Sequence, residues 1–316
     1  MNKLLLLLQV LLLSGVTLFV TSCSVDETDP EPEPAPNNIT DIVTNTDRFS
    51  SLLAALERTG LTSTIAAGEY TVFAPDNDAF ATFLNGAALE DVDIDVLTQL
   101  LLNHVVAGTV ASTDLSNGYA ATLAEESTTM NKISLLVNID NGVMLNSAVS
   151  VVEADITADN GIIHEVDAVI EIPNVVNLAI ANSEFTSLVA ALTRADLTVN
   201  FVDVLTGTGP FTVFAPTNAA FQALLDSNPS WNTLDDIDVA TLETVLKYHV
   251  VAGANVLSST LTDGQVVTSF EGSDFTINTA NGATITDVNG NIVNIIITDV
   301  QGSNGVVHAI DGVILP

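Results

Sequence analysis

The chain has 316 residues, 39 of them Asp or Glu and only 6 Lys or Arg, giving a formal charge of −33. Six cations cannot build the basic stripe that phosphate neutralisation or docking on anionic lipid headgroups requires, so nucleic-acid binding and polybasic membrane docking are excluded. An apolar content of 47% and a mean hydropathy of +0.45 exclude acidic disorder, and the length fits about two domains.

Residues 1–22 read as an export signal. Lys3 supplies the positive end, and Leu4–Leu8 with Val10–Leu13 forms an apolar run interrupted by Gln9 and Ser14. The alternative is a permanent membrane anchor, which the shortness of the run against the ~20-residue spanning length disfavours. Cys23 is the only cysteine, so no intramolecular disulfide is possible. Val20-Thr21-Ser22-Cys23 resembles the lipobox of bacterial lipoproteins, with Val20 and Thr21 where Leu and Ala or Ser are more usual. The resemblance implies cleavage before Cys23 and a lipid anchor on it, the chain's one expected link to a membrane. Cleavage there removes Lys3 and takes the charge from −33 to −34.

Residues 23–37 follow as an acidic, proline-rich tether. Alternating Pro and Glu from Asp29 to Pro36 forbids helix and favours an extended chain of ~3.1 Å per residue. The tether reads as a spacer. Its acidic start also resembles the export tag that takes some Bacteroidetes lipoproteins to the outer face, and both readings stay open.

From residue 38 the sequence repeats, giving expected domains at 38–172 and 173–316. Phe49-Ser50-Ser51-Leu52-Leu53 returns as Phe185-Thr186-Ser187-Leu188-Val189, and Thr71-Val72-Phe73-Ala74-Pro75 as Thr212-Val213-Phe214-Ala215-Pro216. His104-Val105-Val106 returns as His249-Val250-Val251, and Asn160-Gly161-Ile162-Ile163-His164 as Asn304-Gly305-Val306-Val307-His308. A period near 140 residues is a domain duplication, since solenoid repeats are far shorter.

Phe49, Leu52, Leu53 and Leu56 keep helical spacing up to Gly60, and Tyr70–Phe73 reads as a short strand stopped by Pro75. Asp76 and Thr217 are placed to cap a following helix carrying Phe80 or Phe221. Leu97, Leu100, Leu101 and His104 repeat the helical spacing, as do Leu242, Val245, Leu246 and His249. The final third of each copy turns to strands, with Asn141-Gly142 and Asn281-Gly282 as hairpin signals and further breaks at Asn160-Gly161, Asn289-Gly290 and Asn304-Gly305. Each copy is therefore α+β, helices first and a largely antiparallel sheet after. The short junction Ile170–Asn174 predicts copies that are packed or angularly restrained.

Together these blocks resemble the fasciclin domain, through residues 212–221, Tyr248-His249-Val250-Val251 and Asn304–Ile314, with counterparts in copy one. The family resemblance implies a wedge-shaped β-sandwich with flanking helices in each copy. It also implies adhesion at or outside the cell surface, with a surface protein, glycan, matrix ligand or second copy as partner, and no cofactor. In animal members adhesion has been linked to the Tyr-His motif, which maps here to Tyr248 and His249 and, in copy one, to Asn103 and His104. Asn103 departs from the pattern.

The four histidines, His104, His164, His249 and His308, all fall in repeated blocks. They are expected to be structural: His104 and His249 on the core stripe of a helix with one ring nitrogen bonded to main chain, His164 alternating with Ile162 and Val166 on a strand. Pro75, Asp76, Pro216, Thr217, Asp167 and Asp311 recur with them and are expected to serve the fold. A metal site is not expected, since neither copy shows a third ligand at metal spacing. Asp91-Val92-Asp93-Ile94-Asp95 lacks the Gly and Glu of a calcium-binding loop, having Val96 and Leu102 there, and reads as a helix N-terminus. No phosphate loop, nucleophile elbow or Cys-x-x-Cys is present, so catalysis is not expected. Two function classes remain: a lipid-anchored surface adhesin, and a non-catalytic subunit of an envelope complex facing the periplasm.

Overall fold

The computed structural model describes residues 37–280 and 282–316. The expected export signal, Cys23, the expected tether up to Pro36, and Asn281 lie outside the described residues. The remainder forms one compact unit built from two copies of one α+β module.

Module one begins with helices α1 (Ile39–Asn45), α2 (Ser50–Thr59) and α3 (Thr62–Ala67). Strand β1 (Tyr70–Pro75) follows, then α4 (Asn77–Leu84), α5 (Ile94–Leu102) and β2 (Val105–Ala107). The sheet is completed by β3 (Gly118–Glu125), β4 (Lys132–Asn138), β5 (Met144–Leu145), β6 (Val149–Ala158) and β7 (Gly161–Val166). Module two repeats this as α6 (Val175–Ala181), α7 (Thr186–Leu192), α8 (Phe201–Leu205), β8 (Phe211–Pro216), α9 (Asn218–Asp226), α10 (Val239–Tyr248) and β9 (Val250–Ala252). It ends with β10 (Gln265–Thr268), β11 (Asp274–Asn278), β12 (Thr284–Thr286), β13 (Ile292–Gly302) and β14 (Gly305–Ile310).

Neighbouring strands are antiparallel except where the first and last meet. β1 runs parallel to β7 with Phe73 opposite His164, and β8 runs parallel to β14 with Phe214 opposite His308. In module one this pairing closes the seven strands into a barrel, through a single bridge between Val106 and Thr122. Module two has no ladder between β9 and β10, and the Phe270 N–H donating to the Val250 carbonyl at 2.6 Å links that gap.

β1 and β8 are buried on both faces, so their side chains divide between two cores. Val72 and Ala74 face the helices and join Phe49, Leu52, Leu56, Phe80, Leu97 and Ile163; Phe73 points into the roll with Leu135, Val137, Leu145, Val166 and Ile170. Module two divides alike, with Val213 and Ala215 toward Phe185, Phe221 and Leu246, and Phe214 toward Tyr248, Phe275 and Ile285.

The expected helices and first strand are present, with Gly60 in left-handed conformation ending α2. The Asn141-Gly142 hairpin forms, with β4 pairing antiparallel to β5, but its loop is five residues long and Asp140 bridges to Gly142 inside it. The tight turns lie between β6 and β7 and between β13 and β14, with Asn160 and Asn304 inside the turn and the glycine already in the strand. Gly161 has φ of +151°, and a Cβ there would collide with the Tyr70 carbonyl oxygen of the parallel strand. Gly305 stands in the same relation to Phe211.

The modules touch through the outer face of β3, β4 and β5. The Tyr119 ring packs on the helix-side core of module two, and its hydroxyl accepts from the Asn182 amide at 2.9 Å. Ser134 Oγ accepts the Gln301 N–H at 2.9 Å, and Ser147 Oγ donates to the Ala181 carbonyl at 2.6 Å. Asn255 donates to Thr129 Oγ1 at 3.0 Å.

Candidate functional site

His104 lies just past the end of α5, and His249 is the residue capping α10. This corrects the expected placement on a helical core stripe, because the helix stops where the chain must turn into β2 or β9. In each case the ring completes the ending. His104 Nδ1–H donates to the Leu100 carbonyl at 2.7 Å, and Nε2 accepts the Ile170 N–H at 2.8 Å. His249 does the same with Val245 at 2.7 Å and Ile314 at 3.1 Å. Each ring thus ties the helix end to the last segment of its own module, using both nitrogens where the sequence called for one. Burial pushes both rings down from the ordinary 6.5 to about 4, which keeps them neutral, the only form that can accept the Ile170 or Ile314 N–H.

His164 and His308 carry the other tautomer. Nδ1 accepts from the Asp155 or Asp299 N–H, both at 3.2 Å, while Nε2–H donates to the Val110 carbonyl at 3.0 Å or the Val256 carbonyl at 2.8 Å. Each ring stacks on the opposing phenylalanine, Phe73 or Phe214, with centroids 5.5 Å apart. Asp155 and Asp299 sit at positive φ in the irregular stretch of β6 or β13, and their carboxylates accept from the N–H and hydroxyl of Ser112 or Ser258. The serine hydroxyl donates to the carboxylate, and the imidazole bonds only main chain, so Ser, Asp and His stand together without a path for activating the serine.

The motif-region residues are all enclosed. Tyr248 and Asn103 are 0% exposed, His104 2% and His249 3%. Tyr248 places its ring edge-on to Phe275 with centroids 5.7 Å apart and donates its hydroxyl to the Asp274 carbonyl at 2.8 Å. Asn103 in the same place donates to the Ile170 and Glu171 carbonyls at 3.1 and 3.2 Å and accepts from Thr122. An aromatic plug in one module is an amide clip in the other. The residues beside the motif reach the surface: Ala107 in module one, and Ala252, Gly253 and Phe270 in module two, are all exposed.

The other recurring residues lie at element ends. Asp76 accepts from the Ala79 N–H at 2.7 Å and Thr217 from Ala220 at 3.3 Å, each directly after the proline that ends the strand, Pro75 or Pro216. Asp167 accepts from the Ser150 N–H at 2.7 Å and Asp311 from Asn294 at 2.8 Å, joining the end of the last strand to its neighbour. Asp93 and Asp238 cap α5 and α10. Among the described residues no group of three or more His, Cys, Asp or Glu side chains is placed to hold a metal ion.

Sequence reasoning passed over Asn160 and Asn304. Asn160 accepts the Ile39 N–H at 2.8 Å and donates to the Ile65 and Gly68 carbonyls at 2.7 and 2.8 Å, so one turn residue fixes both α1 and α3. Asn304 does so for Val175, Leu205 and Gly207. Their place in a repeated block was the available signal. Phe270 was also missed, although an aromatic between Ser269 and the Glu271-Gly272 turn breaks strand alternation.

Comparison with known proteins agrees with this architecture. A family model described as the fasciclin domain matches residues 47–173 and 183–316. An uncharacterized Synechocystis protein, sll1735, is 39% identical over 143 residues, covering 45% of this chain and 98% of that protein. Human periostin is 29% identical over 259 residues, 79% of this chain and 28% of periostin. A solved FAS1 domain pair from the insect cell adhesion molecule Fasciclin I superposes with a TM-score of 0.52 at 19% identity, covering 85% of this chain and 97% of that one. With both modules matched, the chain belongs to the fasciclin-domain family.

Proposed function

We propose that the chain is a non-catalytic adhesion module held at the cell surface by a lipid on Cys23, binding a surface protein, glycan, matrix ligand or another copy. The observation that carries this reading is the saturation of its most reactive-looking groups. All eight ring nitrogens of the four histidines bond main chain, which leaves none to act on a substrate or metal. The motif region then acts by shape: it fixes the exposed residues beside it, and recognition is a surface property. The solved relative's description as part of a cell adhesion molecule supports the same reading.

Protease treatment of intact cells tests placement, and attachment tests role. A surface adhesin is digested, and deleting the gene or masking the modules with antibody reduces cell attachment and biofilm. Protection from protease with unchanged attachment favours the periplasmic envelope subunit instead.

A further inference from the structure

The internal repeat shows how one module receives another. Module one presents the outer face of β3, β4 and β5, and module two seats on it. The same face exists on module two, formed by β10, β11 and β12 and continued by β13, and among the described residues it is left open, with Val266 and Ile292 exposed. Register defines the equivalence. Gly118 pairs with Val137 and Gln265 with Ile277, each four residues before the Asn-Gly of its loop, so Val266 stands where Tyr119 does. By the same count Asp274 replaces Ser134.

Exposure follows occupancy. In module one Tyr119 is half-buried and Ser134 buried. In module two Val266 is 62% exposed and Asp274 exposed. Val266, Thr276, Thr286 and Ile292 form one outward row across four paired strands, ending on Ile292 at 69% exposure. The row thus ends at both sides on an uncovered β-branched aliphatic.

The complementary side is also present. Module two seats itself with Ala181, Asn182, Asn255 and Gln301. Their counterparts in module one, by position relative to Phe49, Val110 (the equivalent of Val256) and Asn160, are Asn45, Thr46, Thr109 and Thr157. All four are uncharged, three are exposed and Thr46 is half-buried, in a module with 20 acidic residues. The Asp274 carboxylate is an acceptor at the position from which Ser134 takes the Gln301 N–H, the place where Thr157 would arrive.

We propose that the outer face of β10–β13 docks module one of a second copy, on the side carrying Asn45, Thr46, Thr109 and Thr157. The geometry copies the contact inside the chain. Such a contact is head-to-tail and leaves a free face at each end, so it builds open chains of molecules, not closed dimers. The proposal deepens the adhesion reading and rests on it by naming self-association through one face. Its electrostatic signature is distinctive: two acidic surfaces approach, so association strengthens as salt screens them, opposite to capture of a basic partner.

The test is sedimentation equilibrium of the chain from Pro36 onward, the compact unit that carries all four core clusters, at loadings from about 10 µM to about 1 mM in about 0.15 M and about 1 M salt. The expected result is an average mass that rises with loading beyond two chains and rises further in high salt. Val266→Asp spoils one end and Thr157→Asp the other, both at exposed positions, so circular dichroism should show both variants folded. Each alone is expected to stay monomeric, and a mixture of the two to stop at one-to-one dimers, because one good end remains on each. A monomer under all conditions overturns the proposal, as does assembly untouched by either substitution. Attachment of cells by a monomeric chain would sink the proposal while leaving the adhesion reading intact; assembly without attachment would do the reverse.

Discussion

A buried histidine that accepts an N–H carries a pH signature. His249 holds the Ile314 N–H only while neutral, and burial lowers its pKa from 6.5 to about 4. Because the folded value lies below the unfolded one, the unfolded chain binds the extra proton between these limits. The stabilisation from a neutral His249 is therefore complete above pH 6.5 and lost as pH falls toward 4. Carboxylate protonation in so acidic a chain works the other way by relieving repulsion, so the test is a difference between proteins. His249→Gln should destabilise module two at pH 7, and that deficit should shrink by about 2 kcal/mol at pH 5 in urea titrations. A deficit independent of pH would show that the ring is not held neutral. The residue type and its recurrence were legible in sequence. The second ring bond was not, because Ile314 lies 65 residues away and meets the ring only when the roll closes.

At the scale of elements, helices announced themselves by period and caps, while closure of the sheet did not. Phe49, Leu52 and Leu56 fall on one buried stripe, and Asp76 sits where an N-cap belongs, so local physics sufficed. The parallel pairing of β1 with β7 joins Phe73 to His164 across most of the module, and no local pattern encodes such a partner. It is written instead in one glycine and one asparagine. Gly161 lets the strands approach past the Tyr70 carbonyl, and Asn160 pins α1 and α3 beside them. Asn160→Ala should orphan the Ile39 N–H and two carbonyls, and cost about 2–4 kcal/mol by the usual price of unpaired buried groups. Chemical denaturation of the variant checks this, with Asn45→Ala as a control that breaks only an exposed bond to the Asp41 carbonyl. Equal losses in the two variants would mean the turn asparagine is one surface bond among many.

Across the whole molecule, charge and contact oppose each other. Residues 38–172 carry −17 and residues 173–316 carry −12, so the modules repel while Tyr119, Ser134, Ser147 and Thr129 hold them together. The tie is mostly polar, and among the described residues Tyr119 both packs on the neighbouring core and bonds across the junction. Removing it should let repulsion act. Tyr119→Ala forfeits the ring's burial and one hydrogen bond, about 1–3 kcal/mol of inter-module stabilisation, while Tyr119→Phe forfeits the bond alone, about 1 kcal/mol. The expected result is an alanine variant whose small-angle scattering shows a larger radius of gyration than wild type in about 0.15 M salt, where fields reach ~8 Å. In about 1 M salt, where they reach ~3 Å, the difference should narrow. Calorimetry should meanwhile resolve two transitions in that variant, because each module keeps its own pair of cores. If the alanine variant scatters like wild type in low salt, then Ser134, Ser147 and Thr129 suffice to hold the pair, and Tyr119 merely fills space between modules that polar contacts already fix.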